Sequence, residues 1–259
     1  MPPGPDLVRV GSMTPGTLFV ISTPIGNWED ITLRALRVLK EVDVIAAEEP
    51  LQSRPLLDQY GIDTPLTSYH NLNKEEKAPV LIQRLLEGQN VGLIADAGTP
   101  AVCDPGALFI SAALSADILI VPVPGVSAVL AAVSVCGFSG DGFVFYGFLP
   151  KQDEARRCRL DSLRSESRPV VIFEGSESLT ATLHDIHACL GNRRMMAASD
   201  LTKPGERLLR GRIKEILKTL ASSKMEGEIT LVIDNKRPGN PRVGKNGSRR
   251  IRKRSASGS

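Results

Sequence analysis

The sequence predicts an α/β protein of two domains, with an N-terminal, mainly parallel, doubly wound sheet and a C-terminal mixed α/β domain. Two observations predict it. Short apolar runs at 17–22, 42–47, 91–95 and 118–123 alternate with stretches of helical periodicity. Near-continuous apolar strands between helices imply a parallel sheet covered on both faces. The rhythm then breaks at Gly137 to Gly142 (GFSGDG) and a second set of strands and helices follows. A length of 259 residues, 42% apolar and 24% charged, suits one large or two average folded domains and excludes a collagen-like or wholly disordered chain.

Each element has its own signal. Residues 17–22 (TLFVIS) form a short apolar run before a Pro-Gly turn. Over 30–42, Ile31, Ala35, Leu36 and Leu39 share one helical face. Residues 42–47 read as a second strand. Residues 53–60 read as a short helix stopped by Gly61. The helix expected over 74–87 turns Val80, Leu81 and Leu85 inward and stops at Gly88. Strands at 91–95 and 118–123 flank an Ala- and Leu-rich helix from Ala107, and a small-residue helix covers 126–135. Beyond the break, strands are expected at 143–149, 170–173, 195–198 and 229–233, with helices over 153–164, 177–190 and 213–221. The expected domains are 14–138 and 139–234, with 1–13 and 235–259 disordered.

The net charge of +3 conceals an asymmetry. Residues 235–259 hold nine Lys or Arg and no acid, which leaves 23 basic against 29 acidic residues elsewhere. Such a tail either keeps the chain soluble or tethers it to nucleic acid by neutralising phosphates. No apolar run approaches the roughly 20 residues that span a bilayer, so no membrane partner is expected. Cys103, Cys136, Cys158 and Cys189 show no CxxC spacing, and of the three histidines only His184 and His187 lie near one, just before Cys189. No metal site is therefore expected. Free thiols without a secretion signal fit a cytoplasmic location.

Three loops rich in glycine and proline follow apolar strands: Thr23-Pro24-Ile25-Gly26-Asn27, Asp96-Ala97-Gly98-Thr99-Pro100 continuing to Gly106, and Pro122-Val123-Pro124-Gly125-Val126-Ser127-Ala128. All three would lie at the carboxyl ends of parallel strands, where open α/β sheets bind ligands. Glycine admits close approach of a ligand to backbone and proline stiffens the loop. The same turns also serve as plain connections. GxGxxG, GxxxxGK[ST] and GxSxG are all absent from the sequence, which argues against dinucleotide, P-loop and α/β-hydrolase readings.

The runs TPIGNWEDITLRAL (from Thr23), DAGTPAVCDPG (from Asp96), VPVPGVSA (from Val121), GFLPK (from Gly147), LTK (from Leu201) and GEITLVI (from Gly227) resemble the tetrapyrrole methylase superfamily. Within it they are most similar to the branch that methylates small-subunit ribosomal RNA. The resemblance covers roughly residues 16–234 in one order. It implies a two-domain class III methyltransferase, S-adenosyl-L-methionine in the cleft between domains, a homodimer, and the ribose 2′-hydroxyl of a cytidine as acceptor. Its cofactor positions fall here on Pro24, Ile25 and Gly26, on Asp96, Gly98, Thr99 and Val102, on Ser127 and Ala128, and near Phe173 and Thr202.

The sequence departs from the family pattern in places. The family's A-E-D-T-R is here Ala47-Glu48-Glu49-Pro50-Leu51, and the proline of its P-G-P-S-A is Val126. The cofactor loops are nearly intact, whereas several polar positions expected to face RNA are replaced. Glu48 is the leading proton acceptor, with a loop-end structural role as the alternative. Lys203 would hold a phosphate or lower the hydroxyl's pKa, or else cap a loop. Arg156, Arg157 and Arg159 lie on a helix that is either solvated or faces RNA. Ribosomal RNA or the small ribosomal subunit is the expected partner. A tetrapyrrole-like small substrate, or RNA binding without catalysis, are the rival readings.

Overall fold

The computed structural model describes residues 14–138 and 141–235. The expected N-terminal extension, and the basic tail from residue 236, lie outside the described residues.

The chain opens with β1 (Thr17–Ile21), α1 (Leu33–Glu41), β2 (Val44–Ala47), α2 (Pro50–Gln59) and β3 (Leu66–Ser68). It continues with α3 (Lys74–Leu86), β4 (Val91–Ile94), α4 (Gly106–Ser115) and β5 (Leu119–Val123). These strands form one sheet in the order β3-β2-β4-β1-β5, with every neighbouring pair parallel. Alternation along the strands builds two cores. Ile21, Ile45 and Ile94 pack with Ala35, Leu39 and Leu57 of α1 and α2. Leu18, Val44 and Leu93 pack with Leu81, Leu85 and Phe109 of α3 and α4. Both faces are covered, as the apolar strands demand.

Helix α5 (Ala128–Cys136) ends at Gly137, whose φ of +72° places it in the left-handed region that glycine enters freely. The second sheet follows: β6 (Val144–Phe148), α6 (Asp153–Ser162), β7 (Val170–Gly175), α7 (Leu179–Leu190), β8 (Arg194–Ser199), β9 (Arg207–Arg212), α8 (Ile213–Ser222) and β10 (Glu228–Asp234). Its order is β6-β7-β10-β8-β9. Only β6 and β7 run parallel, so the sheet is mixed. Val170, Ile172 and Leu231 face Leu160, Leu183 and Ile216 of the three outer helices. The opposite face, with Val171, Met196 and Val232, packs on Val129, Ala132 and Cys136 of α5 and on Ile25. Helix α5 thus fastens the end of the first sheet to the inner face of the second. Among the described residues, no helix is long and apolar enough to cross a membrane.

Several expectations change. Strands β3 and β9 had no clear signal. Helix α2 starts at Pro50, three residues earlier than expected, because proline suits the first helical position and the Glu49 carboxylate accepts the Leu51 N–H. Val80 faces outward at 54% exposure, whereas Leu81 and Leu85 are buried. Arg156 is neither solvated nor turned to a partner. It is buried on Asp185 at 2.6 Å, with Asp153 at 2.6 Å and the Lys151 carbonyl completing its hydrogen bonds. Asn235, placed in the tail by sequence, is buried and donates to the carbonyls of Leu163 and Glu166.

Candidate active site

The three loops meet at the carboxyl ends of β1, β4 and β5, and hydrogen bonds hold them in one arrangement. Thr23 and Gly98 exchange two backbone hydrogen bonds, at 2.9 and 3.1 Å. Gly98 does so at φ +78°, a conformation side chains rarely adopt. The Thr99 hydroxyl donates to the Val126 carbonyl at 3.0 Å and lies 2.9 Å from the Ser22 hydroxyl, so one side chain joins all three loops. Asp104 accepts the backbone N–H groups of Ala101 and Gly106, both at 2.8 Å. That closes a turn in which Ala101 and Cys103 sit at φ +66° and +74°, a strained arrangement of the kind that binding loops store.

The loops border a cavity of about 390 Å³, closed on its far side by β6, β7 and β10. Five carboxylates line it, from Glu48, Asp96, Asp104, Glu174 and Glu228, together with the rings of Phe148 and Phe173. The two rings lie 5.6 Å apart between centroids. Burial raises the proton affinity of Glu48, and the charges of Asp96 and Asp104 raise it further. Burial likewise lifts Asp96; the N–H of Glu49 opposes this, and the charges of Glu49, Glu228 and Asp104 add to it. The site is therefore a negative concavity with an aromatic side. It suits a cation that carries a flat ring.

A second cavity of about 220 Å³ adjoins the first and shares Ile25, Ala95, Asp96, Ala97 and Glu228 with it. Of the residues expected from sequence, Glu48, Gly98, Thr99, Val102, Ser127, Ala128 and Phe173 line the larger cavity. Pro24, Gly26 and Lys203 line the smaller one, and Ile25 and Asp96 line both. Lys203 lies 3.4 Å from Asp200 and 3.7 Å from Glu228. Thr202 lines neither cavity. Its hydroxyl accepts the Asn27 N–H at 3.1 Å and so ties the turn after β8 to the first loop. Sequence reasoning missed Phe148, Glu174 and Glu228. Phe148 and Glu228 lie inside the runs GFLPK and GEITLVI, but strand patterning gave them no sign of chemistry.

The profile of the family described as Tetrapyrrole (Corrin/Porphyrin) Methylases matches residues 17–217. A protein of Thermotoga maritima is 40% identical over 221 residues, covering 85% of this chain and 99% of that protein. One of Halalkalibacterium halodurans is 39% identical over 219 residues, covering 85% and 76%. Both are named ribosomal RNA small subunit methyltransferase I. Among solved structures, cobalt precorrin-4 methyltransferase aligns with a TM-score of 0.66 at 19% identity, covering 88% of this chain and 97% of that one. Uroporphyrin-III C-methyltransferase of Thermus thermophilus, complexed with S-adenyl homocysteine, aligns at 0.61 and 18%, covering 84% and 97%. A profile match over most of the chain and relatives near 40% identity make the chain a member of the tetrapyrrole (corrin/porphyrin) methylase family.

Proposed function

We propose that this methyltransferase transfers the methyl group of S-adenosylmethionine to the 2′-hydroxyl of a cytidine ribose in small-subunit ribosomal RNA. The observation that carries the reading is the identity of about 40%, across 85% of the chain, with relatives named for that RNA. The cavity fits the cofactor. Its carboxylates complement a sulfonium and an ammonium group, and Phe148 and Phe173 offer faces to an adenine. The bound cofactor supplies an electrophilic methyl group. The chain's own part is alignment, which brings most of the rate in such a displacement.

In this reading the loops of Gly98 and Ser127 hold the cofactor, and Asp96, facing both cavities, orients the acceptor hydroxyl. Glu48 takes the hydroxyl's proton, a role its raised proton affinity favours. Lys203 stands at the rim where an RNA phosphate would arrive. The protein works as a homodimer in the cytoplasm, where its substrate is assembled. The test is incubation of the purified protein with methyl-labelled S-adenosylmethionine and unmodified small ribosomal subunits. Label is expected in the ribose of a cytidine. Label in an added tetrapyrrole acceptor, with none in RNA, would favour the small-substrate reading instead.

A further inference from the structure

The cavity beside the cofactor site has its own character. Trp28 stands at its edge on a short 3₁₀ turn and is 42% exposed. Gln52, on the first turns of α2, is exposed and its side-chain amide makes no hydrogen bond among the described residues. Ser53 lies beneath, its hydroxyl donating to the Glu49 carbonyl. Lys203 also lines the cavity, its ammonium group 3.4 Å from Asp200 and 3.7 Å from Glu228. An aromatic face, an unengaged amide and a cation around about 220 Å³ form the elements of a nucleotide pocket. The volume falls below the roughly 300–1,000 Å³ usual for larger ligands. That is the scale of one pyrimidine ring more than of four linked pyrrole rings.

We infer that this smaller cavity receives the base of the target nucleotide, everted from the RNA, with the ring stacked on Trp28 and its edge bonded to Gln52. The inference rests on the RNA reading given above and names the part of the site that recognises the base. Eversion follows from geometry. The ribose must lie at the junction of the two cavities, beside Asp96, for its hydroxyl to meet the methyl group. A base still stacked between its neighbours could not follow it there. Lys203 then meets the flanking phosphate. Stacking on an aromatic accepts any base, so discrimination falls to the amide of Gln52.

Trp28 is the sole tryptophan of the chain, so its emission reports the pocket directly. Cytidine 5′-monophosphate, titrated into protein saturated with S-adenosylhomocysteine, should quench it saturably, more strongly than ribose 5-phosphate does. Trp28→Ala should lower methyl transfer to small subunits roughly tenfold or more, the scale of a lost base stack. Trp28→Phe should restore most of it, and affinity for S-adenosylhomocysteine should hold in both, which also reports that they fold. Gln52→Ala should lower transfer and weaken the quenching. A Trp28→Ala protein that transfers at the wild-type rate overturns the base pocket and leaves the RNA reading standing. If the wild-type protein methylates no small-subunit RNA, that reading fails and the quenching alone decides. Equal quenching by the base-free sugar phosphate, or none by either, overturns the pocket.

Discussion

Thr99 illustrates how one hydroxyl can set a binding site. Its bonds to Ser22 and Val126 join loops from three strands. Thr99→Val keeps the shape and removes the donor. The orphaned carbonyl should cost about 1–3 kcal/mol of stability, and affinity for S-adenosylhomocysteine should drop with it. Thermal melting and calorimetry read the two effects. Glu48 and Asp96 behave differently, because their folded-state pKa values are raised by burial and by neighbouring acids. A raised carboxylate costs stability when ionised. That cost is present above the folded pKa and is relieved as the pH falls through it. Asp96→Asn keeps an acceptor for the Glu49 N–H. It should therefore melt higher than the wild type at pH 8, and the gap should close as the medium is acidified. Cofactor binding should show the opposite trend, weaker in the variant and weaker at low pH, because protonation removes the charge a sulfonium seeks. Glu48→Gln should lower transfer by about 10²–10⁴-fold if Glu48 takes the proton. An unchanged rate would return Glu48 to a structural role.

The loop elements were legible because three glycine- and proline-rich turns follow apolar strands of one parallel sheet, and such turns gather at its carboxyl edge. The family resemblance then singled out Asp96, Gly98, Thr99 and Ser127 in those loops, and all four line the larger cavity. Other elements left weaker marks. Strand β3 has only three residues, too short for a period. Strand β9 reads RLLRGR and lies at an edge, where only Leu208 and Leu209 turn partly inward and its arginines bond backbone carbonyls at Lys224, Val135 and Asn192. The start of α2 was hidden because Pro50 reads as a breaker when it is in fact the first helical residue. This junction replaces the threonine and arginine of the family pattern. Leu51 is 83% exposed there, next to Gln52 of the smaller cavity. Leu51→Arg should leave the melting temperature nearly unchanged and raise both RNA affinity and transfer. A filter-binding assay with small-subunit RNA would show it, and unaltered affinity would place the RNA path elsewhere.

At the scale of the molecule, the cleft exists because α5 holds the two sheets at a fixed relation. Its small residues admit close packing on Val171 and Val232. Buried charge stiffens the far side, where Asp185 joins Arg156 and Arg157 between α6 and α7. None of this was readable from periodicity, which shows that a helix has an apolar face but not which sheet receives it. The basic residues from 236 onward lie outside the described residues, and their composition leaves two expectations, an RNA tether or a solubilising tail. Deleting 236–259 should weaken RNA binding and flatten its salt dependence, by about 0.7 in logarithmic slope for each phosphate of single-stranded RNA that is no longer neutralised. Cofactor affinity should stay as it was. An unchanged slope would leave the tail a solubilising role only.

A map of ribose methylation in small-subunit RNA tests most directly whether the acid-lined cleft methylates a ribose of that RNA. The map would be drawn from cells with the gene, without it, and with it restored. One cytidine 2′-O-methyl group should vanish without the gene and return with the wild-type copy, but return weakly or not at all with Asp96→Asn. Identical maps in all three, or a lost mark on a base and not on a ribose, would contradict ribose methylation by this cleft.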